Sequence, residues 1–318
     1  MPGIHEKLDK KIASGELDPE QGRRLHAVFN TLEHLTRLYE QNCNSEKSFF
    51  KPDELPSDFV VSNGPPVFFK QMAEDELKEN YDVFTCTVSG KDDQFRGYCS
   101  EVFSDLRNGM AESSHRQTGL TLRLATGLQY DRTDNGWLTY MGEYERPDNP
   151  INRFEWSSGH IYGFENAPHV IVASIHKTQG REEYILRSEL MILLRYMIGK
   201  TRKFVNHQIT PVLSISVRAQ FLRVTEAYYD GEKVHINYGP PIHINGELSQ
   251  EETQRRMEGV IRWYASTPQG ETENFSSLRS MERKPISAKP GNPPSSPRQQ
   301  RRLPSLKGKG NMRSPQNR

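Results

Sequence analysis

The feature that most constrains the fold is an uninterrupted apolar stretch near the middle of the chain. Residues 169–176 read His-Val-Ile-Val-Ala-Ser-Ile-His, and β-branched residues dominate this stretch. A strand without a polar face is typical of a central strand in a sheet that is covered on both sides. Residues 182–198 are apolar on most sides, which predicts a helix largely buried against that sheet. The narrow polar stripe of this helix consists of Glu182, Ser188, Glu189 and Arg195.

The neighbouring segments predict an α/β fold with a single mixed-sheet domain. Apolar spacing indicates a helix over residues 97–110, strands over 120–130 and 137–144, and a further strand over 211–217, with a loop over 145–168. Together with the central strand and the buried helix, the predicted core order is helix-strand-strand-strand-helix-strand.

Short sequences with strong turn or capping preferences support these boundaries. Asn135-Gly136 lies between two predicted strands, and Asp230-Gly231 lies within a predicted hairpin over 223–238. Both dipeptides favour a two-residue hairpin turn. Ser249 and Glu252 have the spacing of a capping box, which predicts the start of a last helix.

Residues 1–45 are predicted to form an N-terminal helical arm. Asp18 is suited to cap a helix and Pro19 to occupy its first position. One apolar stripe follows at spacings of three or four residues, formed by Leu25, Val28, Phe29, Leu32, Leu35, Leu38 and Tyr39. This stripe either packs on the protein's own domain or forms a contact with a protein partner or a second copy of the chain. Residues 44–66 are polar and rich in proline, which indicates a linker or an ordered loop.

Charge and composition set the C-terminal end apart. Residues 267–318 carry 11 Lys/Arg and 3 Asp/Glu, a net charge of +8, whereas the preceding 266 residues carry a net charge of −7. The segment is rich in proline and has one aromatic residue, so it cannot bury enough apolar surface to offset the entropy of ordering. We therefore predict a globular domain over 46–265 and a disordered basic tail over 266–318.

The tail contains a compact basic cluster that is a candidate nucleic-acid-binding segment or nuclear-import signal. Its members are Arg298, Arg301, Arg302, Lys307, Lys309 and Arg313. The alternative is that a basic, disordered tail only keeps the protein soluble.

Cysteine usage and the termini indicate an intracellular protein, either cytoplasmic or nuclear. Cys43, Cys86 and Cys99 form no C-x-x-C pair, so neither a disulfide framework nor a cysteine-based zinc site is expected. The charged N-terminus has no apolar signal-peptide core, and the most apolar helix is interrupted by charges, so no membrane association is predicted. Histidine spacing does not predict a metal site, because such a site needs three or four converging ligands.

The predicted core order is similar to that of the PD-(D/E)XK nuclease-like superfamily, and one sequence position supports the comparison. Lys177 ends the predicted central strand where that family has its motif lysine, but Ile175 occupies the position of the motif acid. The resemblance implies that Glu143 would be the acid of the second strand, Glu101 the acid of the first helix, and Glu189 an acid displaced to the following helix. Such an enzyme would need Mg²⁺, which prefers oxygen ligands.

The same residues also have a simpler interpretation. Lys177 is then a strand-end lysine whose ammonium extends to water, and Glu189 lies on the polar stripe of its helix. Because Ile175 offers no oxygen ligand, this interpretation is favoured.

Three short sequences support a second resemblance. These are Ile175-His176-Lys177, Pro211-Val212-Leu213 and Arg223-Val224-Thr225-Glu226-Ala227-Tyr228. The segments that contain them, residues 169–181 and 209–238, resemble an uncharacterised group of filamentous-fungal proteins. The resemblance suggests a source and no activity.

The sequence therefore predicts a non-catalytic interaction or accessory protein that needs no cofactor. The alternatives are a magnesium-dependent nuclease with displaced acids, and an accessory protein or cryptic enzyme of fungal metabolism.

Overall fold

The computed structural model describes residues 3–88, 95–130, 156–176, 178, 181–218, 221–244 and 248–278. In chain order, its helices are α1 (Ile4–Ala13), α2 (Pro19–Cys43), a 3-10 turn (Pro52–Glu54), α3 (Glu74–Asn80), α4 (Phe95–Glu112), α5 (Leu122–Ala125), α6 (Arg187–Lys203) and α7 (Gln250–Tyr264). The strands are β1 (Phe49–Phe50), β2 (Phe59–Ser62), β3 (Phe69–Lys70), β4 (Tyr81–Asp82), β5 (Ser114–His115), β6 (Gln129–Tyr130), β7 (Trp156–Phe164), β8 (Ala167–His176), β9 (Ile185–Leu186), β10 (Val212–Val217), β11 (Phe221–Tyr229), β12 (Val234–His243) and β13 (Thr267–Pro268).

A mixed seven-stranded sheet with the order β2-β12-β11-β10-β8-β7-β6 forms the centre of the fold. Strands β8 and β10 are parallel and are joined through α6, and β2 lies parallel to β12 at one edge. The other neighbours in the sheet are antiparallel. The elements α4, β6, β7, β8, α6 and β10 stand in the order helix-strand-strand-strand-helix-strand, with β5, α5 and β9 inserted between them and with β7 in the segment predicted as a loop.

The sheet is covered on both faces, as the apolar β8 strand requires. Val170 and Val172 pack into the core layer beneath α2 and α6. Ile171 and Ala173, which alternate with them, pack into the opposite layer beneath α4 and α7. Neighbouring residues of β8 therefore serve two different cores.

Helix α2 begins as predicted and packs on its own domain. The Asp18 side chain accepts hydrogen bonds from the Glu20 and Gln21 backbone amides, and Pro19 is the first helical residue. Leu35 and Leu38 on its apolar stripe are completely buried in the core layer that also contains α6. Val28, Leu32, Leu35 and Leu38 are thus covered within the chain, whereas Leu25, Phe29 and Tyr39 of the same stripe are only partly buried.

Two predicted boundaries around the central strand are wrong. Residues 120–130 are mainly helix α5 and a turn, because the Thr121 side chain accepts a hydrogen bond from the Leu124 amide and caps the helix, and within this range only Gln129–Tyr130 forms a strand. Within the predicted loop over 145–168, Trp156–Phe164 forms β7, a strand whose glycines and serines hide its alternation. The predicted strand over 137–144 and the Asn135-Gly136 turn lie outside the described residues.

Helix α6 starts five residues later than the predicted 182, at Arg187. The preceding Ile185 and Leu186 are extended because they pair with Phe50 and Phe49 of β1. Residues 44–66, predicted as a linker or an ordered loop, are ordered and contain β1, the 3-10 turn and the edge strand β2 of the central sheet.

The predicted Asp230-Gly231 turn is present, but the connection between β11 and β12 has four residues rather than two. The Asp230 side chain accepts hydrogen bonds from the Glu232 and Lys233 amides. Gly231 has a φ of 102°, which glycine tolerates better than other residues.

Ordered structure extends past the predicted domain boundary at 265. Thr267–Pro268 pairs with β3, the ring of Phe275 contacts that of Tyr229, and Leu278 is buried. These contacts supply the apolar burial that the composition of the whole tail obscured. The six basic residues of the predicted nucleic-acid-binding cluster lie outside the described residues. No helix within the described ranges is both long and apolar enough to cross a lipid bilayer.

Candidate functional site

The structure does not bring the predicted catalytic residues together in the part of the chain that it describes. Glu101 lies on α4 and Glu189 on α6, and these helices pack on opposite faces of the sheet. Ile175 packs against the α4 layer. Glu143 and Lys177 lie outside the described residues.

Glu189 is not on an exposed stripe, contrary to the simpler prediction: its exposed fraction is 1%. It lies in the first turn of α6, and its carboxylate accepts a hydrogen bond from the Leu186 amide at 2.9 Å. This position satisfies a free amide at the helix start and places negative charge where the helix dipole favours it. The same carboxylate is bound by Arg218, through Nε at 3.2 Å and through Nη2.

Arg218 follows the end of β10 and is as deeply buried as Glu189, with an exposed fraction of 2%. Its Nη2 atom donates to the Tyr184 carbonyl at 3.0 Å and to the Tyr238 hydroxyl at 2.8 Å. Its Nη1 atom donates to the Arg181 carbonyl at 3.4 Å. The guanidinium therefore ties the segment before α6 to the carboxyl end of the parallel strand pair.

Tyr238 and Arg223 complete this buried cluster. The Tyr238 hydroxyl is 2.6 Å from the Tyr184 carbonyl and 3.0 Å from the Glu189 carboxylate. The Arg223 guanidinium lies 3.9 Å above the Tyr238 ring and donates to the Glu182 carbonyl. Two buried guanidiniums thus face a single carboxylate in this cluster, and the aromatic ring offsets part of the excess positive charge.

The electrostatics of this cluster leave Glu189 without acid–base reactivity near neutral pH. Burial by itself would raise the pKa of the carboxyl, but the Arg218 charge outweighs it and lowers the pKa to about 2. The carboxylate stays ionised, and its oxygens accept hydrogen bonds from Arg218, Tyr238 and the Leu186 amide. What the arrangement does physically is fix residues 181–186 against the sheet.

A second buried group lies beside this cluster, on the same face of the sheet. His176 is completely buried, with Nδ1 2.8 Å from the Ser188 hydroxyl and Nε2 2.9 Å from the Ser174 hydroxyl. Burial lowers the pKa of His176 to about 4, so the ring is neutral at physiological pH. A histidine beside a serine can activate a nucleophile, but both hydroxyls are enclosed and out of reach of a substrate.

The described residues do not supply a magnesium site. No group of three or more His, Cys, Asp or Glu side chains in this part of the chain could hold a metal ion. Glu101 and Glu189 cannot share one ion because the sheet separates them, and Ile175 carries no oxygen.

The sequence interpretation missed Arg218, Arg223 and Tyr238. The sequence did contain a hint of this cluster. Arg218 follows the predicted strand over 211–217 and Arg223 lies in the next strand, and a charged side chain in a buried strand needs a partner. That signal does not identify the partner, which lies 29 residues before Arg218.

Comparison of the chain with protein-family models, with curated proteins and with solved structures finds no match.

Proposed function

We propose that this chain is a non-catalytic interaction protein. The proposal is supported by the buried cluster of Glu189, Arg218, Arg223 and Tyr238, hereafter the Glu189 cluster, whose side chains bind one another and the backbone before α6. A carboxylate that is buried, ionised and bound to Arg218 and Tyr238 serves as an anchor for the segment before α6, with no capacity left to bind a metal or move a proton.

Two surfaces are proposed to carry the interactions. The basic cluster of the tail is proposed to bind nucleic acid through phosphate contacts, which net positive charge without acidic neighbours favours. A protein partner or second copy at the N-terminal helices would have to use the polar side of α2, since Leu35 and Leu38 are covered.

We further propose a cytoplasmic or nuclear location. Cys43, Cys86 and Cys99 all lie within the described residues, and no two of them form a disulfide. Burial raises the pKa of Cys86 and of Cys99 to about 12, which keeps both in the unreactive thiol form. Both properties suit a reducing compartment.

The experiment that tests the proposal is a cleavage assay on single- and double-stranded DNA, with Mg²⁺ and with a chelator. We expect no magnesium-dependent cleavage by the wild-type chain. Glu101→Gln and Lys177→Ala are assayed beside Glu183→Gln, an exposed acid on the segment before α6. Cleavage by the wild type that survives Glu183→Gln but disappears in the other two variants, with unchanged melting temperatures, would overturn the proposal.

Glu101 is included in that assay because one observation about its side chain favours the nuclease alternative. The Glu101 Oε2 atom is buried and has no hydrogen-bond partner among the described residues. It lies on the α4 side of the sheet, the side on which Ile175 occupies the motif position. An unsatisfied buried carboxylate oxygen is costly, and a bound cation is one way to satisfy it.

A further inference from the structure

A cleft opens at the β6 edge of the sheet, away from the Glu189 cluster. It lies between α5, the strands β6 and β7, and the last turn of α6, and its volume is about 740 Å³. That volume is within the range of small-molecule sites, which is roughly 300–1,000 Å³.

The charge of the cleft is opposite to that of the surrounding protein. Arg123, Lys200 and Lys203 line it, and Glu165 is the acidic residue of its lining. The first 266 residues of the chain carry a net charge of −7. A positive cleft in an acidic protein concentrates anions at that position.

A position at a helix end explains each of these cations singly, but it does not explain why two different helices bring them to one cleft. Lys200 and Lys203 lie in the last turn of α6, where basic residues complement the helix dipole. Arg123 lies in the last turn of α5, a separate and much shorter helix that reaches the same cleft from another part of the chain. The convergence of the three charges is therefore the informative feature.

The cations are also held in place before any ligand arrives. The Arg123 guanidinium stacks 4.7 Å above the Tyr130 ring and donates to the Leu128 carbonyl at 3.3 Å. Tyr130 in turn packs on the buried Tyr162 at 5.1 Å between ring centroids. Pre-ordered groups lose less entropy on binding, which favours a specific ligand over loose counterions.

The lysines are similarly ordered. The ammonium groups of Lys200 and Lys203 lie 5.3 and 5.2 Å from the centroid of the Phe204 ring. Lys200 has an exposed fraction of only 3% and still lines the cleft.

The cleft also offers planar and apolar surface. Tyr130 is 45% exposed and Leu124 is 49% exposed, and both line the cleft together with Phe164. Aromatic rings and the flat face of an arginine guanidinium are surfaces on which nucleobases stack.

We propose that this cleft binds a nucleoside polyphosphate. The phosphates would contact Arg123, Lys200 and Lys203, and the base would stack on the surface formed by Tyr130 and Arg123. This inference rests on the proposed function, because it supplies the ligand class of a protein that binds without catalysing.

The test is isothermal titration calorimetry on the full chain without added divalent metal, with three probes: ATP, inorganic tripolyphosphate and adenosine. We expect ATP to bind about tenfold more tightly than tripolyphosphate, and adenosine to bind more weakly than both. Raising the salt concentration should weaken ATP binding, because charged contacts contribute to it.

Matched variants connect the binding to the cleft. Lys203→Gln and Arg123→Gln should each weaken ATP binding about tenfold, the usual effect of losing one charged hydrogen bond. Arg202→Gln removes the same charge from the adjacent exposed position of α6, outside the cleft, and should change the affinity less than about twofold. The melting temperature of each variant shows whether it is folded. If Arg123→Gln does not fold, Lys203→Gln still tests the inference, because Lys203 is exposed.

Three results would overturn the inference. They are no ATP binding by the wild type, equal losses in all three variants, and tripolyphosphate binding as tight as that of ATP. Each of them leaves the proposed function intact, whereas magnesium-dependent DNA cleavage would overturn the proposed function whether or not ATP binds.

Discussion

Replacing Arg218 by leucine is the sharpest test of the buried cluster. The change removes the cation that contacts both Glu189 oxygens and leaves the carboxylate with the Leu186 amide and the Tyr238 hydroxyl. Glu189 has an exposed fraction of 1%, so water cannot compensate for the loss. Breaking a buried ion pair by removing one partner destabilises a protein by about 3–5 kcal/mol. We expect Arg218→Leu to lower the free energy of unfolding by about this amount.

The double variant Glu189→Met/Arg218→Leu separates the ion pair from simple loss of packing. Because both charges are then gone, it should be destabilised by about 2 kcal/mol less than the sum of the two single variants. Arg181→Leu is the matched control: Arg181 is 78% exposed, and its exposed pair with Glu183 at 3.9 Å should contribute less than about 0.5 kcal/mol.

The pH dependence of stability provides a second measurement of the same pair. The folded pKa of Glu189 is about 2, below its ordinary value of 4.5, because Arg218 outweighs the effect of burial. The corresponding stability, ~3 kcal/mol, is present above about pH 4.5 and is lost as the pH falls towards 2. Urea unfolding monitored by circular dichroism measures all of these quantities. A loss below about 1 kcal/mol in Arg218→Leu, or fully additive single variants, would show that the Glu189–Arg218 pair does not stabilise the fold.

The remaining predictions concern a turn, a second buried carboxyl and the tail. Gly231→Val should destabilise the chain by about 1–3 kcal/mol in thermal unfolding, because φ is 102° and an added Cβ would lie 3.0 Å from the ring of Phe275. Gly259→Ala, in open helical space, should instead be neutral or stabilising by up to about 1 kcal/mol, and equal effects of the two changes would contradict the turn assignment. Burial raises the pKa of Glu226 from 4.5 to about 7, so the folded chain holds a proton that the unfolded chain releases. Its contribution to stability should therefore fall by ~3 kcal/mol as the pH rises from 4.5 to 7, and Glu226→Gln should lack this fall in urea titrations. A peptide of residues 298–313 should bind DNA with a steep salt dependence in fluorescence anisotropy, and no binding at low salt would remove the nucleic-acid proposal.

Short sequence patterns correctly predicted two kinds of element. These are a strand that is buried on both sides and a helix whose start is marked by a capping residue. The apolar run of β8 and the Asp18-Pro19 start of α2 are confirmed, because each depends on residues adjacent in sequence. The strand β7 was missed because Ser157, Ser158, Gly159 and Gly163 break its alternation, and only its pairing with β8 defines it. The start of α6 was misplaced for the same reason, since β1 holds the preceding residues extended.

The polar core was harder to predict than the apolar one. Glu189 has the helical spacing of an exposed acid, and its burial depends on Arg218 and Tyr238, which arrive from other strands. Periodicity shows which face of a helix or strand is apolar. It does not show that a carboxylate is buried because an arginine from a distant part of the sequence pairs with it. The cleft at β6 was missed as well, because its cations come from α5 and α6, two helices far apart in the chain.

A ³¹P NMR time course shows whether the protein binds ATP and DNA without turning either of them over. It uses the full-length protein with Mg²⁺, ATP and a short DNA oligonucleotide in one sample. We expect the resonances of ATP to shift or broaden on binding while the triphosphate and phosphodiester intensities stay constant overnight. Growth of inorganic phosphate, ADP or terminal phosphomonoester signals, and their loss in Glu101→Gln, would contradict a protein that binds without catalysing.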